Sequence, residues 1–383
     1  MLSDIIKVRR DLHRIAELSF EEHLTSNYLK ERIEALGLTP QASAGTGLVV
    51  DINGENCDQQ TAIMFRADMD ALPILEQNDF DYKSCHEGIM HACGHDAHMS
   101  IIFHTLEWAV KNKSKLIRPL KFIFQPAEEK IGGASVMISE GVMQNPDVAE
   151  VYGLHIANRL PSGVLGVKSG ISSAYCDEFK INIEGKGGHG ARPYQCIEPI
   201  MIATRIIQDC QNLVARELYA MDSNVMTFTT IHSGSAYNVI DDHLQMGGTL
   251  RTLREESREF IVSRLEKKFM SLQSEYGCKI DFELIEGYPA IHNDHKCSQL
   301  VREIGANLES VIEVTDEGMG MGGEDVSYFL REAPGCYFLL GVGGDSCAFS
   351  PHHSPTFDFD ESALICGYEI FTQIIARRAM INT

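Results

Sequence analysis

The chain has 383 residues, 44% hydrophobic and 23% charged, which is the composition of a folded globular protein and excludes a disordered or fibrous one. That length is too great for one small core and suits two domains at roughly 150 residues each. Acidic residues outnumber basic ones 54 to 33, and the net charge of −21 repels nucleic acid and anionic membrane surfaces, so neither is expected as a partner.

The first stretches, 2–18 and 25–36, are amphipathic with helical spacing, and Gly37 stands where a helix-terminating glycine belongs. Short apolar runs follow at 47–52, 62–65, 120–124 and 151–154. Their length and branching favour buried strands. Helical stretches near 98–110 and 132–140 lie between them, so strands and helices alternate. That alternation predicts a mostly parallel sheet with helices on both faces. From about 176 the pattern changes: strand 178–184, a long helix opened by Pro193 and reaching about 217, strands 225–231 and 244–250, helix 255–276 and strand 279–285. The order β-α-β-β-α-β is the ferredoxin-like split motif. Beyond 297 the first pattern returns, with helices near 298–308, 324–330 and 361–377 around a strand at 336–340. The expected architecture is α/β: a discontinuous catalytic domain at 1–175 and 292–383, and an inserted α+β domain at 176–291. No apolar run reaches the ~20 residues of a membrane span. The first ten residues lack the apolar core of a secretory signal, and eleven cysteines without framework spacing read as reduced thiols, so a cytoplasmic location is expected.

Chemistry-bearing side chains gather at the ends of these strands, where open α/β sheets collect their ligands. His91-Ala92-Cys93-Gly94-His95-Asp96-Ala97-His98 is dense in metal-binding groups, and Asp96 could hold a ligand imidazole from behind. The strand at 120–124 runs into Glu128-Glu129, a pair suited to divided labour, one acid ligating metal and the other moving protons. His155 ends another strand, His352-His353 follows a glycine-rich loop, and Asp68 and Asp70 form a further strand-end pair. Each alone has an ordinary alternative: a solvated acidic loop, a core histidine, a turn. Together they place sulfur, imidazole and carboxylate at successive ends of one sheet, a donor set for zinc, manganese or cobalt. The donors exceed one tetrahedral site, so two metals are expected.

Gly185-Lys186-Gly187-Gly188-His189-Gly190 fits the GxGxxG spacing of a nucleotide-dependent oxidoreductase. The acid expected about twenty residues on, Asp209, falls inside a helix instead of at a second strand end. The segment reads better as a flexible loop presenting His189 to a site.

In this order the motifs resemble the metal-dependent amidohydrolase and peptidase family that includes aminoacylases. The branch is that of hippurate hydrolase, N-acetyldiaminopimelate deacetylase and the plant auxin-conjugate hydrolases. The resemblance runs from Arg9-Arg10-Asp11-Leu12-His13 and Glu17-Leu18-Ser19-Phe20-Glu21-Glu22 through Arg66–Pro73, 90–96, 125–129, 185–193 and Met321-Gly322-Gly323-Glu324-Asp325 to His353-Ser354-Pro355. It implies Cys93, His95, Glu129, His155 and His353 as metal ligands, Glu128 as general base, and two divalent ions per chain. It also implies His189 as a catalytic residue of a lid that doubles as a dimerisation domain, and Asn238 as a substrate contact. Ala16, Asp241 and Glu198 depart from the family pattern, and they touch substrate and loop details instead of the metal set. Arg251, at a strand end, is a candidate for the substrate carboxylate. The implied activity is hydrolysis of the amide of an N-acyl amino acid, acetyl or aryl-acyl, by a metal-activated water. A dipeptidase or aminopeptidase, or a silent ligand-binding relative, is the alternative.

Overall fold

A computed structural model gives the fold and describes residues 1–55, 57, 60–130, 132–344 and 350–380. The chain divides into two compact units: Met1–Ser172 with Ile291–Met319 and Glu324–Thr383, and Ser173–Ala290 with Gly320–Gly323.

The first unit holds an eight-stranded sheet. Its strands run in the order Gln41–Ser43, Gly47–Ile52, Leu120–Gln125, Ala62–Asp68, Val148–Pro161, Gly335–Gly343, Val164–Gly166, Glu313–Thr315. The four central strands, from Leu120–Gln125 to Gly335–Gly343, are parallel to one another, and antiparallel pairings flank them on both sides. Alternation along the strands explains the layers. Ile63, Phe65, Phe122, Phe124, Tyr152 and Leu154 enter a core with the helices Leu2–Arg14, His95–Lys111, His295–Gly305 and Leu364–Ala379. Met64, Ile123, Val151 and Tyr337 point the other way, against the helices Gly133–Ser139 and Val326–Glu332. Every residue of Ala62–Asp68 and of Leu120–Gln125 is buried, as expected of central strands covered on both faces. Truncating Phe65 or Phe122 to alanine would cost about 3–5 kcal/mol.

The second unit is a four-stranded antiparallel sheet in the order Asn224–His232, His243–Thr252, Tyr175–Glu184, Lys279–Tyr288. The helices Pro199–Asn212 and Glu255–Tyr276 share its core through Ile202, Ile206, Ile261 and Leu265, which pack with Phe179, Ile181 and Met246.

Two helices differ from expectation. The helix expected from Pro193 starts at Pro199. Pro193–Gln195 is a single 3-10 turn, and Cys196 is extended. Both prolines suit a first helical position, but only the run from Pro199 puts Ile202, Ala203, Ile206 and Cys210 on the buried face. The first helix stops at Arg14, not 18. Glu17 instead accepts the backbone N–H groups of Leu24 and Thr25, at the start of the next helix.

Candidate metal centre

One helix start, the turn after one strand, the inside of another and a loop of the first unit deliver the donors, so His155 lies within its strand and not at its end. Gly94 takes a left-handed turn (φ 88°), and a Cβ there would run into Ile156. That turn starts the helix His95–Lys111, so Cys93 lies just before the helix and His95 in its first turn. Ala127 (φ 55°) turns the chain after Leu120–Gln125 and sets Glu128 and Glu129. His155 lies in the strand Val148–Pro161, and His353 sits at φ 62° with its N–H bonded to the Ala92 carbonyl, 2.9 Å.

Donor atoms of Cys93, His95 and His155 lie within 4.8 Å of one another, as do those of Cys93, Glu129 and His353. Cys93 Sγ is 3.4 Å from His155 Nε2, and His353 Nε2 is 3.4 Å from Glu129 Oε1. His95 Nδ1 is 2.8 Å from the Asp70 carbonyl and His155 Nδ1 is 2.7 Å from the Ile156 carbonyl. A carbonyl only accepts, so both Nδ1 atoms carry the proton and both Nε2 lone pairs are left for the cluster. His95 Nε2 and Glu129 Oε1 are buried with no hydrogen-bond partner. Orphaned acceptors in a shared space, beside a thiol, fit a divalent cation and fit little else. His352 is in neither donor group; its ring stands edge-on to that of His155, 5.3 Å between centroids, and 4.7 Å from that of Phe357.

The electrostatics are those of an anionic pocket: against the cost of burial, Asp68, Asp70 and Cys93 raise His95 well above the usual imidazole value. Burial, with Glu129 adding, pushes the Cys93 thiol up, and His353 and His95 only partly offset this. The neighbouring Cys93 and Glu129 raise His353 to about 10. Burial and the neighbouring His98 and His352 keep His155 neutral, well below the usual imidazole value. A bound cation would stabilise the thiolate and the neutral imidazoles together.

Glu128 is buried beside this set. Burial, then the Glu324, Glu129 and Asp325 carboxylates, hold its carboxyl well above the ordinary value. A carboxyl raised in this way is suited to holding a proton between two steps of a reaction. Its position comes from partners that sequence motifs did not single out for a role. Asp70 accepts the backbone N–H groups of Glu128 (2.9 Å) and Glu129 (3.0 Å) and the Ser19 hydroxyl (2.6 Å). Glu22 accepts the Ala127 N–H (3.0 Å) and the Thr46 hydroxyl (2.5 Å). Arg66 bonds Asp68 (2.7 Å), Gln125 (2.8 Å), Glu324 (2.9 Å) and Asp325 (2.9 Å) while fully buried. The Asp-x-Asp spacing at 68–70 signalled part of this, and Glu22, Arg66, Gln125, Glu324 and Asp325 stand in motifs that carry the resemblance without an assigned role. Asp96 does not back a ligand imidazole: it forms an ion pair with Arg9, Nε at 2.8 Å, and a hydrogen bond with His13 Nδ1, also 2.8 Å, and ties the first helix to the helix of His95.

The other candidate residues belong to the second unit. His189 pairs with Val239 across the short ladder Gly188–His189 with Val239–Ile240, and Gly190 N–H bonds the Asn238 carbonyl at 2.9 Å, which brings His189 and Asn238 together. The glycine-rich segment is therefore a hydrogen-bonded strand edge, not a loose loop. Lys186 and Ile197 exchange both backbone bonds, and a Cβ at Gly187 would run into the Ile240 carbonyl. Arg251 lies in the strand His243–Thr252 opposite Cys176, whose thiol donates to the Ala174 carbonyl at 3.4 Å. A side chain at Gly323 would strike that thiol.

The model of the peptidase family M20/M25/M40 matches residues 64–377. Thermostable carboxypeptidase 1 of Saccharolobus solfataricus is 37% identical over 370 residues, covering 95% of this chain and 92% of that protein. N-acetyldiaminopimelate deacetylase of Bacillus pumilus is 34% identical over 377 residues, covering 98% of each. A crystal structure of a Bacillus subtilis dinuclear metal binding peptidase from the M20 family superposes with a TM-score of 0.85 at 32% identity over 97% of both chains. No helix among the described residues is long and apolar enough to cross a membrane.

Proposed function

The chain belongs to the peptidase family M20/M25/M40, and on that premise we propose that it is a metal-dependent hydrolase of the amide bond in N-acyl amino acids. One observation carries the reading: two donor groups that share Cys93 lie beside buried Glu128, with His95 Nε2 and Glu129 Oε1 left without partners. Cys93, His95, Glu129, His155 and His353 would hold divalent cations, two per chain, of the zinc, manganese or cobalt type. When bound, the cations supply Lewis-acid charge that polarises the acyl carbonyl and makes water acidic enough to deprotonate near neutral pH.

The chain's own residues do the rest. Glu128 takes a proton from the attacking water as the new C–O bond forms, and gives it to the amine nitrogen as the C–N bond breaks. Asp70 holds the Glu128 and Glu129 backbone in place through this exchange. The division into a catalytic domain, 1–175 and 292–383, and an inserted lid, 176–291, gives His189 the task of donating to the developing oxyanion and Asn238 and Arg251 that of holding the amino-acid part. The same lid is assigned to homodimer formation, since its edge strand Asn224–His232 leaves Ile231 exposed. The ten described cysteines are all free, which supports a cytoplasmic enzyme.

Peptide cleavage is the second reading, favoured by the kinship to a carboxypeptidase. Amine release from N-acetyl and N-benzoyl amino acids, measured beside unblocked and carboxyl-terminal dipeptides, separates the two. The expected result is faster turnover of the N-acyl amino acids. Turnover of the dipeptides alone would replace the first reading by the second. Glu128→Gln should lower kcat by about 10²–10⁴-fold with metal content retained.

A further inference from the structure

We propose that His98 is a positioning residue that fixes the imidazole of His155 for metal binding without binding metal itself. The inference rests on the ligand reading above. His98 lies three residues after His95 on the same helix, and with Asp68 and His95 it forms another close group of metal-ligating side chains. By composition that group is a metal triad, and its hydrogen bonds say otherwise. The Ile156 N–H is 3.0 Å from His98 Nε2, and an N–H can only donate, so the Nε2 lone pair is taken. The ring proton is therefore on Nδ1, which donates to Asp68 Oδ1 at 2.6 Å. Asp68 is held in turn by Arg66 at 2.7 Å. Neither nitrogen of His98 is left for an ion.

What those two bonds fix is the backbone beside His155. Pairing between Ala62–Asp68 and Val148–Pro161 ends at Gly153, and His98 supplies Ile156 with the acceptor that a neighbouring strand would. The Ile156 carbonyl then accepts the His155 Nδ1 proton at 2.7 Å. His98 clamps the peptide that joins His155 to Ile156, and Ile156 clamps the ring of His155 with Nε2 toward Cys93. The His98 ring also stands edge-on to His155, 4.8 Å between centroids, so it blocks rotation of that imidazole. The side chain is 1% exposed.

The test is chelator-competition titration of zinc or cobalt into wild type, His98→Phe, His98→Gln and His155→Ala, with the fold monitored by circular dichroism. His98→Phe keeps the ring volume and loses both hydrogen bonds. It should weaken one metal equivalent by about 10–100-fold and leave the other within threefold. His98→Gln keeps an acceptor but not the ring, and should weaken the same equivalent by the lower end of that range, about tenfold. Should the phenylalanine variant not fold, the glutamine variant decides. Unchanged affinity in the folded variants, or equal weakening of both equivalents, overturns the proposal. Unchanged metal binding by His155→Ala overturns the ligand reading instead, and this inference with it.

Discussion

Removing the charge of Arg66 tests whether the acids behind Glu128 depend on one buried cation. Arg66→Met leaves Asp68, Glu324 and Asp325 without the guanidinium that lies 2.7–2.9 Å from each. Breaking a buried pair from one side costs about 3–5 kcal/mol, and this arginine serves three carboxylates and the Gln125 amide. The cost is limited by protonation, because burial already raises Asp325 to about 8 even against the pull of Arg66. Without that pull the folded-state value of Asp325 rises further above the unfolded one. Stability gained by protonation is then lost as pH rises, so the variant should suffer more at pH 8 than at pH 5. Arg66→Lys keeps charge but not the fork that reaches four partners, and should lose about half as much. Urea unfolding followed by fluorescence of Trp108, the single tryptophan, reads the helix His95–Lys111 in the first unit. A loss below about 1 kcal/mol at pH 8, or one that does not vary with pH, would refute the reasoning.

Other substitutions probe separate parts of the site. Cys93→Ser should weaken both metal equivalents, each by more than the ~10–100-fold that loss of a supporting partner costs, since Cys93 belongs to both donor groups; competition titration checks this. Asp70→Asn sets an amide donor against the Glu128 or Glu129 N–H and should cost about 2–4 kcal/mol in urea unfolding, with a fall in kcat. His13, between Asp96 and Glu76, has its pKa raised against the cost of burial, so its stabilisation is complete below about 6.5 and fades as pH rises through the folded value. Asp96 is depressed through Arg9 and His13 against that same cost, so its share is present above about 4 and fades in acid. The stability lost in His13→Gln should therefore be greatest between about pH 4.5 and 6.5 and shrink in alkali; a difference that grows with pH would contradict the pairing.

The elements that read clearly from sequence were those whose pattern is local. Gly47–Ile52 and Glu255–Tyr276 were legible to the residue, because turn residues bound one and helical spacing marks the other. The donors stood out because Cys93 and His95, and Glu128 and Glu129, are near neighbours in the chain. What surrounds them was not legible. Arg66 and Glu324 are 258 residues apart, and Asp70 acts on backbone N–H groups, which leave no trace in residue identity. Two prolines six residues apart both satisfied the rule for opening a helix, and burial of Ile202 and Ile206 chose between them. The glycines at 185–190 mark close backbone approach, a need shared by phosphate loops and by paired strand edges, so composition could not tell one from the other.

Metal content per chain, measured on protein prepared without chelator and paired with amine release from a panel of N-acyl amino acids, tests the central claim most directly. The account predicts close to two divalent ions per chain and turnover that a chelator abolishes and added zinc, manganese or cobalt restores. Protein that takes up no metal after reconstitution, or that turns over the panel equally well in chelator, would contradict it.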